Sequence, residues 1–284
     1  MRYLLILVVT FCTNIAYATS IKHTAPLQAN DVQKDYFILL LKKVCEQIKQ
    51  HGSPCELEPV SLPMLQQRQL TSLNKGLLDI VWTVTTKERE KEYLAVKIPL
   101  MKGLIGARIA VLNNQHQNLF NNPNMFPKIK QLRLAQGHDW PDVSILRENG
   151  YHVVETSWYK LMYRDIAKNL YDYSLRGVFE IYSEYSHFKQ DNLTIDNSYL
   201  FYYPSAIYFF VKRDNQNLAA KVYTALLAMI SSGDFDKLLY QYPAHKTALE
   251  KAALNERKVI RLKNSLLPSS APLNNKSLWF QFNK

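Results

Sequence analysis

The chain has 284 residues, 47% of them hydrophobic, with 35 Lys and Arg against 24 Asp and Glu, a formal charge of +11 and three cysteines. That composition is ordinary for a globular protein and long enough for one large domain or two modest ones. The basic residues are scattered and no zinc-finger, helix-turn-helix or RNA-binding signature is present, so the charge points to solubility or anionic ligands and not to nucleic acid.

The first residues set the compartment. Arg2 is followed by an apolar run over 3–15 and by Ala16-Tyr17-Ala18, the anatomy of a cleaved secretory leader over residues 1–18. The run is too short to cross a bilayer as a stable helix, and Thr10 and Phe11 are not the small residues that precede a lipidated cysteine, so Cys12 is discarded with the leader. No later stretch is long and apolar enough to span a membrane, and a soluble periplasmic product is expected. Cys45 and Cys55 then remain, close in sequence. In an oxidising compartment such a pair forms a disulfide. A metal site is not indicated, because no histidine or cysteine stands at suitable spacing.

In chain order, residues 20–25 read as a strand. Asp31 caps a helix whose apolar positions Val32, Tyr36, Leu39, Leu40, Val44 and Ile48 recur at helical spacing until Gly52-Ser53-Pro54. A strand over 56–60, a helix-like stretch over 62–75 closed by Gly76, and a strand over 78–84 follow. This alternation predicts an α/β domain with a largely parallel sheet. Another strand over 107–112 precedes an asparagine-rich loop over 113–124. A second α/β unit extends to a long aromatic strand over 199–212, interrupted by Pro204, and helices are expected over 218–233, 235–240 and 244–257. The tail from Leu266, rich in Pro, Ser and Asn, reads as irregular, with Trp279 and Phe280 able to pack back.

Four stretches in this order resemble the amino-acid-binding family of ABC transport, periplasmic solute-binding proteins of type II. They are GLLDIVWTVTTKEREKEYLAVKIPL (76–100), QLRLAQGHDW (131–140), NLYDYSLRG (169–177) and SAIYFFVKRDNQNLAAKVYTALLAMISSGDFDKLL (205–239). The resemblance implies a two-lobed α/β fold, each lobe a mostly parallel sheet flanked by helices, joined by a two-segment hinge near 102–106 and 202–205. It places residues 19–104 and 204–284 in the first lobe and 105–203 in the second. A solute would be held between them as they close.

The resemblance also nominates residues. Arg89 stands where the family forks a guanidinium onto a carboxylate, with Thr83 and Thr85 beside it, although the family's ligand threonine aligns onto Val84. Trp82 replaces a small residue and is read equally as an aromatic floor for a ligand or as core. Gly137 and His138 lie in a turn of the kind that seats an anion on backbone N–H groups. Gly177 replaces the aspartate that pairs with an α-ammonium group, with Arg176 before it and Glu180 after it. Either Glu180 takes over that role, or the ligand is no ordinary α-amino acid and two arginines hold a dicarboxylate or other anion; Arg176 reads as well as a structural ion-pair member.

No nucleophile elbow, HExxH or usable Cys–His pair appears, so no catalysis and no cofactor is expected. The leading reading is a monomeric binder of a small polar, carboxylate-bearing solute, working with an inner-membrane ABC permease. A sensory module for a kinase, or a protein-interaction module that has lost its solute, are the rivals.

Overall fold

The computed structural model describes residues 20–25, 32–61, 66–138, 140–157 and 159–282. The leader over 1–18, the Asp31 cap, Asp139 and Trp158 lie outside the described residues. The chain opens with β1 (Ser20–Thr24), α1 (Val32–Gln50), β2 (Glu56–Val60), α2 (Gln66–Asn74), β3 (Ile80–Val84), α3 (Lys87–Glu92) and β4 (Leu94–Val96). It continues through β5 (Ala107–Asn113), α4 (Gln117–Asn121), α5 (Phe126–Ile129), β6 (Leu134–Gly137), α6 (Asp142–Glu148), β7 (Val153–Thr156), α7 (Tyr159–Ala167), β8 (Tyr173–Gly177), α8 (Ile181–His187), β9 (Leu193–Ile195) and β10 (Tyr199–Tyr202). It closes with β11 (Ile207–Val211), α9 (Gln216–Ser232), α10 (Asp234–Gln241), α11 (Pro243–Ala252) and β12 (Lys258–Arg261).

Helix α1 buries Tyr36, Leu40, Val44 and Ile48, one residue per turn on a single stripe. It packs on α9, and Phe209, Phe210, Val222, Leu226 and Phe235 complete the first core. Its end is tied to β2 by the Cys45–Cys55 disulfide, whose Cα atoms lie 5.5 Å apart. β1 pairs with β2 in parallel, and β11 lies antiparallel between β3 and β4. Asp79 joins the two groups: its N–H donates to Lys22 O (2.8 Å) and its carboxylate accepts from Lys22 N (2.8 Å).

The second sheet runs β12-β10-β5-β8-β6-β7, with β9 also beside β5. All seven residues of β5 are buried, because their alternating side chains feed two cores. Ala110 and Leu112 join Leu134, Tyr173 and Phe201 on one face; Ile109 and Val111 join Met162, Tyr163 and Ile181 on the other. Among the described residues every antiparallel pair contains β5 or β11. They are the first strand of the second sheet and the strand that returns the chain to the sheet of β3 and β4.

The connections that lead into them touch. Tyr203 N donates to Gly106 O (3.2 Å), and a Cβ on Gly106 would stand 1.9 Å from Tyr203 O. Only glycine lets the two backbones pass this closely. Phe179, just after β8, packs against both the first core and the third, 4.2 Å from the ring of His245 on α11. The lobes are therefore in contact beyond the hinge.

Several sequence expectations change. The stretch over 113–124 is not all loop: Asn113 accepts from Gln115 N (3.1 Å), and α4 buries Phe120 against Tyr173 and Tyr199. The aromatic run over 199–212 is two strands in different sheets, with Pro204 at the crossing between them. Residues 204–284 were expected in the first lobe, yet β12 pairs in parallel with β10 in the second sheet, from Tyr199–Lys258 to Tyr202–Arg261. Its backbone satisfies an edge of β10 that would otherwise be open. Short strands β4 and β9 carry no pattern long enough to read in sequence.

Candidate functional site

Parallel strands β6 and β8 both end, at Gly137 and Gly177, beside the point where β5 begins, since Gly177 is in register with Arg108. In α/β sheets ligands gather outside such carboxyl ends. The corresponding end of the first lobe is β3, followed by Thr85, Thr86 and α3. Thr85 N donates to Ala206 O (2.8 Å), next to the crossing segment.

On that first wall Thr86 is extended (φ −140°, ψ 164°) and its hydroxyl accepts from Arg89 N, which caps α3. The cap turns Arg89 back over the end of β3, where its Nη1 donates to Thr83 Oγ1 (2.8 Å) and to Val84 O. Arg89 is half-buried, and that burial lowers its pKa from the usual guanidinium value. Thr83 is buried beneath it, and Thr85 is buried with its hydroxyl donated to Glu90 (2.7 Å). Trp82 points to the opposite face of β3. It stacks on Phe37 (centroids 5.6 Å, 25°) and meets Phe209 edge-on, so it joins the first core.

The second wall is a network of buried charge. Arg108 Nε donates to Tyr203 Oη (2.9 Å), Arg108 Nη2 lies 3.0 Å from Asp142, and Tyr203 Oη donates to the same carboxylate. From the other face of the sheet, Arg176 forks onto Glu184 with two bonds of 2.7 Å and lies 4.4 Å above the Trp140 ring. Tyr163 Oη also donates to Glu184 (2.8 Å). Glu180 stands between the two arginines, 3.6 Å from Arg108 and 3.2 Å from Arg176. Burial would lower the pKa of each arginine, but the adjacent carboxylates outweigh it and hold both above the usual value. Two guanidiniums face three carboxylates, Asp142, Glu180 and Glu184, which leaves one negative charge when all are ionised.

No family model matches the sequence, and no curated relative does. Solved structures do match the fold. One is described as the probable amino-acid ABC transporter extracellular-binding protein of Bacillus subtilis: 16% identity over 81% of this chain and 99% of that one, TM-score 0.60. Another is a Salmonella typhimurium periplasmic binding protein with high arginine specificity, at 15% identity over 79% and 99%, TM-score 0.53. A third is a histidine kinase sensor domain with similarity to periplasmic binding proteins, at 14% identity over 73% and 85%, TM-score 0.50. The fold is that of the type II periplasmic binding proteins.

Within this binding-protein fold the nominated residues separate. Arg89 and Thr83 form one hydrogen-bonded unit on the first wall, with Thr85 beside them. Gly137, Arg176 and Glu180 come together on the second wall, and Trp82 belongs to neither. Gly137 carries the Trp140 ring on its backbone, since a Cβ there would lie 2.6 Å from Trp140 Cε2. His138 is exposed, and its N–H is already given to Thr156 O (3.2 Å). Arg108, Asp142 and Glu184 stand in none of the nominated motif positions, and Tyr203 reads in sequence as a strand or core residue. Arg108 was findable: a charge inside the otherwise apolar run ARIAVLN must be paired when buried. The other three lie 34 to 95 residues from Arg108 and only the fold assembles them.

A groove of about 510 Å³ lies elsewhere, between α1 and α9–α11, with Leu39, Met229, Leu238 and Tyr242 among its lining residues. It shares no residue with either wall. Among the described residues no group of three or more His, Cys, Asp or Glu could hold a metal ion.

Proposed function

We propose that the protein is a secreted periplasmic binding protein, without catalytic activity, that captures a small polar solute bearing a carboxylate and an ammonium group. Arg89 receives the carboxylate from the first lobe and Glu180 the ammonium from the second, as the lobes close. The observation that carries this is the seat of Glu180: a Cβ on Gly177 would lie 2.8 Å from Glu180 Oε2, so the glutamate fills the place where the family's aspartate would project. The same geometry speaks against a dicarboxylate. Arg176 and Arg108 are only 5% and 7% exposed and both are engaged by internal carboxylates, and the wall's surplus charge is negative. An amino acid or related zwitterion delivered to an inner-membrane permease is the function that fits.

The second reading is a sensory or protein-interaction module of the same fold. It is supported by the internal pairing of the second wall and by the likeness to a kinase sensor domain. Thermal-shift and calorimetric screening with amino acids, dicarboxylates, polyamines and sugars separates the two. Binding stabilises by mass action, so an amino acid that raises the melting temperature of the native chain and not of Arg89→Ala supports the first reading. A panel without any stabilising compound sinks it and leaves the module.

A further inference from the structure

The chain after β12 crosses between the lobes again. Leu262 N extends the β12 ladder to Tyr202 O (2.8 Å). Lys263 exchanges bonds with Asn149 (2.9 Å each), and Ser265 N donates to Glu148 (3.2 Å), so the segment is held to α6 of the second lobe. The next residue touches both lobes: the Leu266 side chain packs on the second lobe's core beside Leu262, while Leu266 O accepts from Lys87 N (3.3 Å) at the start of α3 in the first. Ser270 Oγ then sits between Lys97 Nζ (2.7 Å) and Glu90 Oε2 (3.2 Å).

The same segment is bound to both hinge connections. Asn264 Nδ2 donates to Pro204 O (2.8 Å), and Phe280 N donates to Lys102 O (2.7 Å). Leu278 and Trp279 are buried in the first core, and Phe282 returns to Tyr202 of the second lobe at 4.6 Å. Gly103 (φ +76°) is shaped to this contact, since a Cβ there would lie 2.4 Å from the Trp279 ring.

We propose that residues 262–282 form a strap, outside the two hinge connections, that restricts how far the lobes separate. The physical reason is the absence of slack. One peptide step joins a bond to α6 at Ser265 and a bond to α3 at Leu266, so the lobes cannot part there without breaking one of them. The inference rests on the reading that the lobes move about the hinge.

The test measures the distance between spin labels on cysteines placed at Lys75 and Lys168, both exposed and on different lobes, in the full chain with its disulfide intact. The releasing variant is Lys87→Pro with Ser270→Ala. Proline is favoured at the first position of a helix, the extended Thr86 before it suits a following proline, and the Lys87 donor is lost. The expected result is a shift to longer and broader separations with unchanged circular dichroism. Trp279→Ala, which removes the far anchor, is expected to give the same shift. A separate Pro204→Gly variant loosens the hinge itself. If it shifts the distances and the strap variants do not, the strap is overturned and the hinge stands. If none of them shifts, the lobes are one rigid body and both ideas fall.

Discussion

Glu180 occupies the space that a side chain at residue 177 would need, with Oε2 2.8 Å from the Cβ position of Gly177 and accepting from Gly177 N (3.1 Å). A glycine three residues earlier is therefore the condition for the glutamate's seat. Glu180→Gln keeps the shape and removes the charge, and should weaken binding of an α-ammonium solute by about 10- to 100-fold, the range of a charge-assisted bond. Calorimetry on the solute found by screening measures this. Unchanged affinity in Glu180→Gln would remove the residue from the site.

Arg176 and Glu184 form a buried fork, with side chains 6% and 18% exposed. Removing one member leaves the other's charge buried, which costs about 3–5 kcal/mol. Arg176→Ala should lose that much in urea unfolding. Replacing Arg176 and Glu184 together by Met and Leu should cost much less, because no unpaired charge remains from the fork.

His245 is buried among Tyr36, Phe179 and Tyr242. Its Nδ1 donates to Leu239 O (3.0 Å), while Nε2 has no hydrogen-bond partner among the described residues. Burial lowers its pKa from 6.5 to about 4. Between those values the unfolded chain binds a proton that the native chain refuses, so stability must fall as the pH drops through this window. The loss amounts to about 3 kcal/mol by pH 4 and levels off just below it. His245→Asn keeps a donor for Leu239 O without a titrating ring. Unfolding free energies of the two proteins from pH 7 to pH 4 should converge by that amount, and parallel curves would count against it.

The Cys45–Cys55 bridge spans a sequence separation of 10. By chain entropy such a loop stabilises by about 3 kcal/mol. Reduction, or replacement of both cysteines by serine, should lower the denaturation midpoint accordingly without moving any group at either wall. Denaturant unfolding with and without reductant measures this.

The legible part of the fold was its periodic part. Helix α1 and the bridge at its end could be read because a repeat of 3.6 and a pair of nearby cysteines act locally. Strand β12 could not, because four residues with two exposed charges carry no pattern until β10 offers an edge. The same limit applied to the site. Arg89 and its threonines lie within seven residues and their capping turn is local, so their proximity is legible in sequence, whereas their ligand role comes from the resemblance and is a proposal.

By itself the sequence determined the alternating elements, the nearby cysteine pair and the local turn that carries Arg89, since each depends on neighbours in the chain. Tertiary structure decided that Trp82 is core, that Arg176 is already paired, that Glu180 fills the place left by Gly177, and that the tail joins both lobes. These depend on which side of a strand a residue faces and on charges brought together from distant segments. Burial makes such charges find partners, and only the folded chain determines which partners are within reach.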